Sequence, residues 1–410
     1  MRRCLALSWV MLALAPTLAA AQAMEGAEVP ERAGGTAADY RFQIGPLGLT
    51  PTLVIQNLGV DTNATLSAED PVRDFTFRAT PGTRYLLPIR RLRLSGTSTV
   101  SFQYWEKTKS QRSIDVLNQA ELTLAGNRVQ PRVFGRYGRQ RARPNLEIEA
   151  TVAQLAQGLG VGADLRFSPR FVIQLEAEES REDFEDQLFR GASLSQQLNR
   201  TSQTVRTNAR VALTPITTLV LTGVNVRERF QSSPLRDAES LTLHGGFETK
   251  PSALIAGKVM VGYRRFNALS ASVPDYRGLV ADIAASYTLF DRTRFGISGR
   301  RNLEFSAETD SPYYVGTGGG VLITQMLGHG WDIQVGADRD RLAYRTFSAP
   351  ATSVPSGRTE HVESLRGGFG FHVGDTARIG VEVAHAVRRS PVKALSYEGW
   401  RAGVKITYGA

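Results

Sequence analysis

The final stretch of the chain, residues 397–410, reads YEGWRAGVKITYGA. Trp400, Ala402, Val404, Ile406 and Tyr408 alternate with Arg401, Gly403, Lys405 and Thr407. Successive side chains of a strand point to opposite faces, so the run is a strand with one apolar and one wet side. The fold turns on what the apolar side touches.

The same device recurs upstream. In ARIGVEVAHA (377–386), Ile379, Val381 and Val383 oppose Arg378, Gly380 and Glu382. In SLRGGFGFHV (364–373), Leu365, Phe369 and Phe371 oppose Arg366, Gly368 and Gly370. WDIQVGAD (331–338), RTNARVAL (206–213) and FVIQLEAE (171–178) repeat the pattern. Alternation over eight or more residues argues for strands over helices.

The connections come in two sizes that alternate. Tight ones, rich in Gly, Pro, Asn and Asp, stand at 87–90, 125–128, 168–170, 214–217, 249–252, 290–293, 328–330 and 374–376. Longer polar ones centre near 59–72, 107–114, 140–156, 182–202, 229–238, 265–277, 305–313, 342–361 and 387–396. Eight tight turns and nine long loops make 18 strands. A water-soluble sandwich has no need of this asymmetry, whereas a transmembrane barrel shows it: short turns on one side, long loops on the other, an even strand number. The predicted fold is therefore all-β, an up-and-down antiparallel transmembrane barrel. Its apolar face meets lipid, its wet face lines a lumen, and closure removes the edges that lipid cannot solvate.

The opening residues carry Arg2 and Arg3, an apolar run from Leu5 to Leu14, and small residues at Ala19, Ala21 and Ala23. This is the pattern of a cleaved secretory leader, assigned to 1–23. The only cysteine, Cys4, belongs to it, so the mature chain has no thiol for a disulfide, a thiolate metal site or catalysis. Residues 24–46, rich in Gly, Ala and Glu, are predicted as a disordered periplasmic lead, and 47–410 as the barrel. The first strand, near Leu49 to Leu58, carries Pro51 and alternates poorly. The leader's two arginines reduce the whole-chain net charge of +10 to +8 for the mature chain. Such a basic surface suits lipopolysaccharide and acidic sugars, while no basic cluster interleaved with aromatics points to nucleic acid.

RERFQSSPLRDAESLTLHGGFETKPSALIAGKVMVGYRRF (227–266), with Phe230, Pro251, Gly262 and Tyr263, resembles the family called β-barrel porin 2. NLGVDTNATLSAEDPVRDFTFRATPG (57–82) is similar to that family's first hairpin. The resemblance implies a large outer-membrane barrel across the mature chain. Because several members sit beside exopolysaccharide export machinery, it also implies periplasmic export proteins as partners. The ending departs from the usual one, with Gly409 and Ala410 after the last aromatic, Tyr408. That ending bears on contact with the barrel-insertion machinery, a further expected partner beside membrane lipid.

Alternation places on the lumen face Arg78, Arg84, Arg93, Arg132, Arg136, Arg166, Arg206, Arg210, Lys258, Arg264, Arg300, Arg366, Arg378, Arg401 and Lys405. It also places there Glu121, Asp164, Glu176, Glu178, Asp282, Asp332, Asp338 and Glu382. Arg or Lys at the bilayer midplane costs about 2–4 kcal/mol, so inward placement is close to forced. The fifteen bases against eight acids predict an electropositive lumen that favours anions, offset where charges pair across strands.

Five histidines, His244, His329, His361, His372 and His385, have no metal-ligand spacing, and no G-x-S-x-G nucleophile motif occurs. No enzyme activity, cofactor or metal is expected. The acidic run with Glu182, Asp183, Glu185 and Asp186 lacks the register of a calcium loop. Its loop, 182–202, is the longest polar insertion and a candidate to fold inward as a constriction. The function so implied is passage of solutes or support of polysaccharide export. A general diffusion porin is the alternative, with a barrel enzyme or anchor behind both.

Overall fold

A computed structural model describes residues 40–251, 253–347 and 357–409. The predicted leader and residues 24–39 of the predicted lead lie outside the described residues. Among the described residues one antiparallel sheet holds nineteen strands, eighteen of which form a wall, and a short pair, Leu188–Phe189 with Ala192–Ser193, stands apart from it. Each wall strand pairs with its neighbours in sequence, and Leu47–Asp61 pairs both with Asp74–Ile89 and with Tyr397–Tyr408. The sheet thus closes into a barrel without edges.

The nineteenth strand, Phe42–Ile44, folds back onto Leu47 to Leu49 through Gly45, whose φ is 59°. It stands within the 24–46 segment predicted to be unstructured. Glycine takes a left-handed conformation without the steric cost borne by other residues, which allows so abrupt a reversal.

The poor alternation of the first strand has a local cause. Its register slips between Gln56 and Gly59, and Asn57 adopts a φ of 57°. This bulge puts Gln56 opposite Arg78 and Gly59 opposite Thr76, so both face the lumen although their parity differs.

Outside, large apolar side chains such as Leu221, Leu243, Val261, Leu279, Val321 and Leu365 stand exposed all round the wall. A water-soluble surface does not tolerate so continuous an apolar band, which belongs against hydrocarbon. No helix among the described residues is long and apolar enough to cross a membrane.

The buried apolar clusters gather at the long-loop end. The larger joins inward-pointing Phe230, Phe266 and Tyr276 to Phe189, Leu194 and Leu198 of the 185–199 loop, and to Leu303, Phe305 and Tyr313. The last three alternate as lipid-facing residues, yet they are buried. Pairing between Tyr276–Leu289 and Thr293–Phe305 stops at Ala281 opposite Arg301, while Thr293–Phe305 and Tyr313–Gly328 stay paired up to Phe305 and Tyr313. The tip of that hairpin leaves the wall and leans into the barrel, turning its outer face onto the inner face of the neighbouring strands.

Candidate functional site

Ion pairs line the inside of the wall, and several bridge two strands across a third that carries glycine. Arg136 and Glu178 meet at 2.7 Å across Gly158, where a Cβ would stand 2.8 Å from Arg136 Nε. Arg132 gathers Glu121, Asp164 and Glu176, the last of these across Gly162. Arg300 reaches Asp340 at 2.8 Å over Gly318. Arg378 donates two hydrogen bonds of 2.7 Å to Asp332, and a Cβ on Gly370 between them would stand 2.6 Å from Arg378 Nε. The missing side chain lets each pair lie flat on the wall rather than project into the lumen.

Most of the remaining predicted bases have named partners too. Arg78 pairs with Asp115, Arg210 with Glu248, Lys258 with Asp282, Arg366 with Asp338, and Arg401 with Asp61. Lys405 and Arg378 share Glu382. Arg166 bonds Gln130 Oε1 at 3.0 Å, and Arg264 bonds Asn302 Oδ1 at 2.9 Å and Ser240 Oγ at 3.2 Å. Arg93 lies opposite Thr123 and Pro88 on the inner face, and Arg84 opposite Thr50 and Thr97.

The register also turns inward nine carboxylates that the sequence reading left out: Asp61, Asp74, Asp115, Glu182, Glu228, Glu248, Glu304, Asp340 and Glu360. It adds only three bases, Arg200, Arg294 and Arg388. The predicted excess of fifteen to eight becomes eighteen to seventeen, so the lumen as a whole is nearly neutral. Its sign is local instead. From Arg200–Ala212 to Thr293–Phe305, the inner face carries Arg200, Arg206, Arg210, Lys258, Arg264, Arg294 and Arg300 against Glu228, Glu248, Asp282 and Glu304. Near the middle of this arc, His244 lies within the electrostatic reach of Asp282 and of three bases, Lys258, Arg206 and Arg264. Arg206 Nε and Arg264 Nε are buried there without a hydrogen-bond partner.

Above the lumen, loops meet across the mouth. Glu147, on the loop after Val129–Ala142, accepts hydrogen bonds from Ser306 Oγ and from Ala307 N at 2.8 Å. The two loops rise eight strands apart in a ring of eighteen, on nearly opposite sides. Arg388 donates to Glu147 O at 2.9 Å and Glu149 Oε1 at 2.6 Å, and also pairs with Glu360. Arg236 is buried against the carbonyls of Ser306, Glu308 and Pro312. Arg190 joins Glu149 to Glu308, and Arg358 joins Glu308 to Glu360. Burial lowers the Arg236 guanidinium to about 10. Burial first, and then the nearby Glu308 charge, push the Glu147 carboxyl up to about 7.

The 182–202 loop does fold inward, as its length suggested. Ser193 caps the helix Leu194–Leu198, and Leu194 and Leu198 are buried in the larger apolar cluster, which forms a plug at the long-loop end. Its acidic residues are separately engaged: Glu182 with Arg200, Asp183 with Arg181, Glu185 with Arg141, and Asp186 with Ser193 and Ser195. His372 contacts Asp332 at 2.8 Å. His329 occupies a tight turn with a φ of 51°. His361, predicted in a loop, is on the strand Thr359–Val373 and faces outward. His385, also outward, stacks on Trp400 and meets Glu398.

Two outer-membrane proteins of Pseudomonas aeruginosa share this wall. The chain resembles OpdK at 10% identity with a TM-score of 0.50, over 88% of this chain and 98% of that one. It resembles OprD at 11% identity with a TM-score of 0.50, over 91% of this chain and 96% of that one. At such identities the likeness is one of fold. No protein-family model matches the chain, and no curated protein does.

Proposed function

We propose that the chain forms an outer-membrane pore for small anionic solutes whose mouth is held shut by its own loops. The observation that carries this reading is the basic arc beneath the plug. Its inner face carries seven bases against four carboxylates, and Arg264 is held by the neutral oxygens of Asn302 and Ser240. A carboxylate or phosphate arriving there gains charge-assisted hydrogen bonds without first displacing a carboxylate from Arg264. The pairs lying flat over glycine keep the rest of the cross-section for water and solute. The outer-membrane proteins of like fold, OpdK and OprD, support placing the wall in the outer membrane.

Support of exopolysaccharide export, suggested by the resemblance to β-barrel porin 2, requires more of the mouth. A polymer passes only if the contacts from Glu147 to Ser306 and from Arg388 to Glu149 all release together. Those contacts favour the small-solute reading.

The test is the reversal potential of reconstituted channels in a salt gradient. Wild type passes chloride in preference to potassium, and Arg206→Glu with Arg264→Glu moves the preference toward the cation. An unchanged reversal potential in that variant overturns the reading.

A further inference from the structure

On the outer wall, from the strand Thr293–Phe305 across to Ala377–Arg389, lies a recess of about 740 Å³. Its floor is apolar: Ile297, Val321 and Leu365 are each about half exposed and face outward. Gly299 and Gly319 sit side by side just above, also outward, and add no side chains to fill it. The upper rim is ionic. Glu363 meets Arg339 Nε at 3.4 Å and Arg389 Nη1 at 2.9 Å, and both arginines keep about two thirds of their side-chain surface exposed. One row higher, Arg301 and Arg341 flank Thr317 on the same outer face.

We infer that this recess is a binding site for a phosphorylated glycolipid of the outer leaflet. The apolar floor lies in the hydrocarbon band and takes an acyl chain. The arginines stand above it, toward the long-loop end that faces outward in barrels of this type, at the height of the headgroups. Two arginines sharing one carboxylate retain a net positive charge, and their exposed forks suit a phosphate, which a guanidinium binds in bidentate fashion. A second copy of the chain fits less well. Outward residues at this height on other strands include Arg227, Arg229, Arg265 and Arg277 against Glu239, so a copy brings more positive than negative charge to the rim.

Protein extracted from outer membranes in mild detergent tests the assignment, with retained lipid read by native mass spectrometry. Refolded protein is titrated in parallel with bisphosphorylated lipid A, dephosphorylated lipid A and phosphatidylglycerol. Wild type retains phosphorylated glycolipid. Arg339→Ser with Arg389→Ser weakens its binding by roughly tenfold or more, the scale of lost charge-assisted hydrogen bonds. Leu365→Trp, which fills the floor without touching a charge, weakens it as well. Heat-modifiable migration on gels shows that both variants are folded barrels. Equal retention in folded variants overturns the site, as does equal binding of dephosphorylated lipid A. Equal binding of phosphatidylglycerol overturns the glycolipid assignment. A wild-type dimer in detergent that both variants dissociate assigns the recess to a second copy instead.

Discussion

Glu147 makes the closed mouth sensitive to pH. Its carboxyl titrates near 7 in the closed state, against 4.5 when solvated. Burial and Glu308 raise it, while Ser306 Oγ, Ala307 N and Arg190 pull the other way. A group whose pKa is higher in the closed state binds its proton more tightly there, so protonation favours closure. The mouth is therefore tightest below about pH 4.5 and loosens as pH rises to about 7. The gap of about 2.5 units corresponds to roughly 3 kcal/mol at full ionisation. A difference of that size moves a two-state gate from mostly closed to mostly open. Single-channel recording at pH 5 and pH 8 measures it: wild type opens more often at the higher value. Glu147→Gln, which mimics the protonated acid, stays closed at both. Opening of wild type in acid refutes the reasoning, and so does an undiminished pH response in the variant.

Two further outcomes follow from the packing. Gly370→Val drives the Arg378 guanidinium off Asp332 and strands a buried charge, at a cost of about 3–5 kcal/mol; the barrel should unfold at a lower temperature in detergent-resistance assays. Phe305→Ala removes the ring packed edge-on against Phe230 at 4.8 Å and loosens the plug by about 3–5 kcal/mol, with the wall left paired. Higher mean conductance at unchanged heat-modifiable migration is the expected reading.

The wall was legible in the sequence because a barrel repeats one local rule. Side-chain period, turn chemistry and loop length each act within a few residues, and each recurs along the chain. The inward bases were legible for the same reason, since a charge on the lipid side is costly. Their partners were harder to see. Asp340 lies past the clean alternation of 331–338, between Arg339 and Arg341, Asp115 lies near the start of its strand, and the glycine between a pair has no side chain to announce it. The 182–202 loop announced its inward fold by length alone.

The sequence by itself therefore determined a lipid-facing cylinder with ionisable groups inside. Tertiary structure alone decided that loops from nearly opposite sides of the ring meet across the mouth and that the lumen is positive on one arc rather than throughout. Leu303, Phe305 and Tyr313 read locally like any lipid-facing residues. Whether such a face meets hydrocarbon or the barrel's own interior depends on where the neighbouring strand stops pairing, and on loops nearly half the ring away that come to hold the tip.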